Sequence, residues 1–218
     1  MQYFTQDYLD FFKELAANND KEWFHSQKKR YEESVKKPFA RFTEDLIKEA
    51  GVNILPKEAI SRINRDIRFS KDKTPYNLQL NAIVSKFGKK DKSYPGVYVR
   101  LGPEMLGIMG GCYGLEKEHL AAVRDTLAND GKPFTKLIEA KNFKDKFGSI
   151  RGEQMKRVPK EYQAAAENNP LILNKQFYYV AELDSAMICT DQLMPTILEH
   201  YKAMQPVNEY LIKASGRK

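Results

Sequence analysis

Hydrophobic spacing changes period twice along this chain, and that change constrains its fold more than any other feature. Apolar residues recur every three to four positions through roughly the first quarter, alternate with polar ones through the middle, and then return to the helical period. A helical stripe buries one side of a helix, whereas alternation buries one face of a strand. Tyr8, Phe11, Phe12 and Leu15 mark a first helix. Asn18-Asn19-Asp20 supplies its stop and the N-cap of a second. Trp23, Gln27, Tyr31 and Val35 stripe that second helix, Pro38 interrupts or kinks it, and Phe39, Phe42, Leu46 and Ile47 continue the apolar face to Gly51.

Four strands are predicted next. Ile63, Ile67 and Phe69 alternate with polar residues, as do Leu78, Leu80, Ala82 and Val84, then Val97, Val99 and Leu101, and finally Leu106 and Ile108. The links at 86–95 and 102–104 carry Gly and Pro and read as hairpin connections, so the strands form an antiparallel meander and not βαβ units. A helix at 116–127, a short helix at 134–138, a loop-rich stretch at 141–175, a strand at 176–183 and a final helix capped by Thr190 or Asp191 complete the chain, with Pro206 as a kink. The class is α+β: an antiparallel meander sheet packed by N-terminal and C-terminal helices, expected as a single domain over residues 1–218.

Composition matters here for what it excludes. With 42% hydrophobic residues the chain is too apolar for disorder. Its longest uncharged run, 74–85, is about a dozen residues, short of the roughly 20 that span a bilayer, so no membrane partner is expected. The N-terminus lacks a basic segment followed by an apolar core, so no signal peptide is expected. Cys112 and Cys189 form no CxxC and are expected as buried reduced thiols of a cytoplasmic protein. His25, His119 and His200 stand apart from one another and from both cysteines, so no metal and no cofactor is expected.

The net charge of +7 comes from 36 Lys and Arg against 29 Asp and Glu. Most of the surplus is lysine, the usual solubilising residue, so where the arginines fall is more informative than the total. The densest polar stretch is 61–76, with Arg62, Arg65, Arg68, Ser70, Lys71 and Lys73. On strand parity Arg62, Asp66 and Arg68 share one face, and Ile63, Arg65, Ile67 and Phe69 the other. Guanidinium forks bind carboxylate or phosphate in bidentate fashion and lysine adds a point charge, so these residues can converge on a small anionic ligand. The same residues also fit an internal ion-pair network or an exposed basic surface. Asp66 and Asp72 neutralise two of the five cations there and leave three.

Arg100, on the strand face of Tyr98, and Lys156-Arg157, in a loop before Pro159, are further ligand candidates. Gly110-Gly111, ahead of a helix, reads as a tight turn or a phosphate cradle. The lysines at 86–92 and the cations at 28–41 read as solvated faces or as contacts to nucleic acid. No catalytic nucleophile constellation is present. If the chain performs chemistry, Asp66 is the candidate base and Tyr76 the candidate proton donor, with Arg65, Arg68 and Lys73 stabilising negative charge.

Asn18-Asn19-x-Lys21-x-Trp23-Phe24, Arg65-Asp66-x-Arg68-Phe69-Ser70-x-Asp72-Lys73-x-Pro75-Tyr76, Gly110-Gly111 and Lys156-Arg157-x-Pro159 together resemble the domain of unknown function 2461 family of bacteria, fungi and plants. The resemblance covers nearly the whole chain and implies a one-domain architecture with no established activity. Leu115 departs from the pattern, which has proline there, and this bears only on the local turn.

Overall fold

The computed structural model describes residues 1–217. Helix α1 spans Gln6–Ala17 and buries Tyr8, Phe11, Phe12 and Leu15, as the period predicts. Asp20 caps α2, Lys21–Ser26, by accepting a hydrogen bond from the Trp23 N–H at 2.8 Å. Past a short turn at Lys28–Arg30 the helix widens into a π turn over Tyr31–Lys36, where the Lys37 N–H reaches Glu32 O five residues back, and α3 runs Lys37–Glu49. Pro38 thus does not break the chain's helical course. Its ring would press on a carbonyl four residues back in a regular α-helix, and the wide turn just ahead of it relieves that conflict.

The sheet holds β1, Leu80–Val84, β2, Val97–Leu101, β3, Leu106–Cys112, and β4, Phe177–Leu183. They pair in chain order as an antiparallel meander, with helices at both ends of the sequence, so the fold class is α+β. Between β3 and β4 come α4, Lys117–Asp130, α5, Lys132–Glu139, and two short helices in the stretch expected to be loops, α6, Lys141–Phe147, and α7, Gln163–Asn168. The glycines and prolines that suggested loops only punctuate these short helices. Helix α8, Leu193–Ala214, contains Pro206.

The residues gather into two compact units. The first comprises Met1–Lys90, Tyr98–Ile108 and Glu182–Glu199. Its core is aromatic: Phe4, Tyr8, Phe11, Phe12, Phe39 and Phe42 are all at most 1% exposed, and the Phe4 and Tyr8 ring centroids lie 4.5 Å apart. The Tyr8 hydroxyl donates to Leu101 O at 3.0 Å, which fixes α1 on β2. Arg30 ties the Lys28–Arg30 turn to α1 with bonds of 2.7–3.0 Å to Asp7 and Glu14, two turns apart on α1.

The second unit comprises Asp91–Val97, Met109–Ala181 and the residues from His200 onward. Asn208 is its polar centre. Its Oδ1 accepts from the Gly111 N–H at 3.0 Å and from the Tyr179 hydroxyl at 2.6 Å, and its Nδ2 donates to Gly96 O at 3.1 Å. Gly110 and Gly111 lie inside β3 and not in a turn. A Cβ on Gly110 would meet the Tyr179 ring at 2.7 Å, so these glycines permit close packing, and the Gly111 N–H that a phosphate would need already serves Asn208. Arg124 is buried on α4. Its Nε and Nη2 donate to Ile172 O at 2.9 Å and Asn174 O at 3.1 Å, closing the single turn Pro170–Leu173. Desolvation lowers its pKa.

Cys112 is buried, and burial pushes its thiol up to about 12. Cys189 is half-buried, contrary to the expectation of two buried thiols, and its Sγ donates to Thr5 O. In the Ser185–Cys189 turn the buried side chain is Ile188, and Cys189, the last residue of the turn, stays partly open.

Candidate functional site

Residues 60–82 form an irregular arm of the first unit. Isolated antiparallel bridges join Ile60 to Ala82 and Asn64 to Tyr76, with the register displaced by two residues between them. This replaces the regular strand expected from the alternation of Ile63, Ile67 and Phe69. Alternation does govern burial as far as Ile67: Ile63 is buried, Asn64 exposed, Arg65 half-buried, Asp66 exposed and Ile67 half-buried. It fails at Phe69, expected on the apolar face, which is 96% exposed. The reason is local. Pro75 has no N–H to continue a ladder, so the pairing ends where Arg65 N donates to Pro75 O at 2.9 Å, and the residues beyond it loop outward.

The base of this loop is clamped. Asn19 matches its side-chain amide to the Tyr76 peptide groups, accepting from the Tyr76 N–H at 3.1 Å and donating to Tyr76 O at 3.0 Å. Tyr76 is buried, with its ring stacked on Phe24 at 4.0 Å and 17°. Two of the sequence blocks singled out above therefore meet through Asn19, Phe24 and Tyr76. The signal for Asn19 was present in the sequence: an amide beside the Asp20 cap carries one acceptor and two donors, enough to mimic a strand partner.

Inside the loop the charges sort into pairs. Arg65, half-buried, donates to Asp72 Oδ2 at 2.6 Å, to Thr74 O at 3.0 Å and to the Thr74 hydroxyl. Asp72 also accepts from the Thr74 N–H at 2.9 Å. That backbone bond and the Arg65 guanidinium hold the Asp72 carboxyl down at about 2. Arg68 closes a bidentate pair on Asp66, Nε to Oδ1 at 2.9 Å and Nη2 to Oδ2 at 2.7 Å, which keeps the Asp66 carboxyl low, with the Arg62 charge adding to the effect. Lys73 Nζ donates to Ile67 O at 2.9 Å and spans the loop. Ser70 N donates to Ile67 O at 3.3 Å. Among the described residues no carboxylate lies within ion-pair distance of Arg62, Lys71 or Lys73, and all three side chains are exposed.

Neither candidate acid–base residue sits in a setting suited to that work. Both Asp66 oxygens are engaged by a guanidinium that favours its ionised form, and Tyr76 is packed under Phe24. Arg100 lies on β2 and contacts Gln79 Oε1 at 3.5 Å and Glu104 at 3.7 Å. Lys156 and Arg157 are exposed residues of the second unit. Among the described residues no group of His, Cys, Asp and Glu is arranged to hold a metal ion.

The other basic stretches are partly neutralised. Lys36 pairs with Glu32, Lys37 with Glu33 and Lys90 with Glu58. Lys89 is not simply solvated: its Nζ donates to Lys57 O at 2.6 Å and Ile60 O at 2.8 Å.

A first expectation concerns Asp72. Its folded-state pKa is depressed below the unfolded value, so its contribution to loop order is complete above the ordinary carboxylate range and is lost as pH falls toward about 2. An NMR titration should place the Asp72 midpoint near the bottom of the carboxylate range, with Thr74 amide protection lost in step. A midpoint near 4 would remove the Arg65–Asp72–Thr74 network from this account.

Residues 7–210 match the family model described as a conserved hypothetical protein, DUF2461. No curated protein and no solved structure shows a significant match to the chain.

Proposed function

The chain belongs to the DUF2461 family, and from that premise we propose that it binds a small phosphate- or carboxylate-bearing ligand at the loop 62–76. One observation carries the reading: the loop holds five cations against two carboxylates, and the carboxylates are already committed to Arg65 and Arg68, leaving Arg62, Lys71 and the ammonium hydrogens of Lys73 not given to Ile67 O as exposed donors. The loop is fixed by its own bonds before any ligand arrives, so an anion would not have to pay the entropy of ordering it. Arg65 and Arg68 act in this reading as the frame, and Arg62, Lys71, Lys73 and the Ser70 hydroxyl as contacts. Arg100, Lys156 and Arg157 take no part in it. Binding, not catalysis, is the function assigned, and it needs no cofactor. Among the described residues no helix is long and apolar enough to cross a membrane, and the two free thiols favour a reducing compartment such as the cytoplasm.

A thermal-shift screen over inorganic phosphate, nucleotides and organic acids tests the proposal. At an anion concentration about 100-fold above Kd, Tm should rise by about 5–10 °C. The Arg62→Ala/Lys71→Ala/Lys73→Ala triple variant should lose that rise. No shift with any anion, or an equal shift in the triple variant, overturns the reading.

A further inference from the structure

We infer that the natural ligand of this loop is single-stranded nucleic acid, with one base stacked on Phe69; this rests on the reading of the loop as an anion site. Phe69 is the observation that a small anion leaves unexplained. Burying a phenylalanine side chain is worth about 1.5–3 kcal/mol, yet this ring is 96% exposed. It is also not on a free tail. The loop that presents it is tied at its base by Asn19 and Pro75, across its middle by Lys73 to Ile67 O, and along one side by Arg65 to Asp72.

The neighbour of Phe69 is equally fixed. Asp66 grips the Arg68 guanidinium at two points, and the guanidinium carbon stands 5.9 Å from the Phe69 ring centroid. An aromatic ring beside a clamped planar cation, with the exposed Arg62, Lys71 and Lys73 in the same loop, offers both of the elements that hold a single strand without reading its sequence. Bases stack on the ring because every base has a π face, and the cations take the phosphates. The net charge of +7 gives the same sign of attraction over the whole chain. A duplex hides its base faces, so the ring selects single strands. An anionic lipid surface is the weaker fit. Among the loop's apolar side chains only Phe69 is fully exposed, while Ile67 is half-buried, and a stable peripheral anchor needs a larger apolar area than one ring.

The test uses the full chain and a short 5′-labelled thymidine oligonucleotide, followed by fluorescence anisotropy across a salt series. Wild-type protein should bind at low salt. The log affinity should fall against log salt with a slope of about −2, as three neutralised phosphates of a single strand require. Phe69→Ala should weaken binding by about 5- to 100-fold with the slope unchanged, and Phe69→Trp should restore it. Because Phe69 contacts solvent, neither variant should alter Tm, and the melt is recorded alongside. The inference falls if the oligonucleotide does not bind at low salt, if Phe69→Ala binds as wild type does, if a duplex of equal length binds as tightly, or if Phe69-dependent binding is found with phosphatidylserine vesicles and not with the oligonucleotide. If the oligonucleotide fails while inorganic phosphate still raises Tm in a manner that needs Arg62, Lys71 and Lys73, only this inference is lost. If the triple variant responds to every anion as wild type does, the small-anion reading is lost with it.

Discussion

Gly111→Ala is expected to cost about 4 kcal/mol or more, a fall in Tm of upward of about 10 °C, or to prevent soluble folding. Two penalties coincide at this position. Its φ of +89° lies in the left-handed region, where an alanine costs about 1–2 kcal/mol. A Cβ there would also lie 2.1 Å from Phe177 O and 3.0 Å from Tyr178 Cα, and both obstacles are backbone atoms of β4 that cannot rotate aside. The strands would have to part, taking with them the bond from Gly111 N to Asn208 and, through Asn208, the hold on the buried Tyr179 hydroxyl. Gly114→Ala, three residues on, isolates the conformational part: its φ is +74° and nothing stands within 4 Å of the added carbon. It should lower Tm by only about 2–8 °C. Circular-dichroism melts of the two variants decide the matter, and equal losses would mean that β3 and β4 do not approach as closely as described.

The same glycines show how far the sequence could be read. Alternation of residue types located β1, β2 and β3, but only β2 buries a single face, with Val97, Val99 and Leu101 all fully buried; β1 buries Ala82, Ile83 and Val84 in succession and β3 Leu106, Gly107 and Ile108. Period alone could not say that Gly110-Gly111 lies within a strand, because a glycine serves a turn and a close approach equally well. It could not separate a strand from the arm at 60–82 either, since parity sets which side chains turn inward but not whether a partner backbone lies alongside. At the loop, counting gave a surplus of three cations, and that surplus holds with Arg65 and Arg68 paired. Which arginine went to which aspartate was not legible: Asp66 takes the guanidinium two residues away and Asp72 the one seven away. Arg124 was missed, although its place four residues after Leu120 and three before Leu127 puts it on the apolar stripe of α4, where an arginine needs carbonyl partners.

The largest effect expected at the site itself comes from a residue that touches no ligand. Asn19→Ala removes both partners of the Tyr76 peptide groups, leaving an N–H and a carbonyl that are only part-open to water, at about 2–4 kcal/mol in all. The loop from 62 to 76 then loses its fixed end, the Phe24–Tyr76 stack loosens, and anion binding has to supply the missing order, so affinity for phosphate should fall by about tenfold although every cation remains. Asn19→Asp separates the two bonds. It keeps an acceptor for the Tyr76 N–H but sets a charged oxygen against Tyr76 O, and should fall between wild type and alanine in neither property, since repulsion adds to the lost donor. Asn18→Ala is the control: its amide reaches only Glu14 O at an exposed helix end, and the change should stay within about 1 kcal/mol. If Asn19→Ala melts as Asn18→Ala does and retains the wild-type phosphate response, the order of the loop must come from within it, from Arg65, Asp72 and Lys73, and the clamp on Tyr76 is incidental to binding.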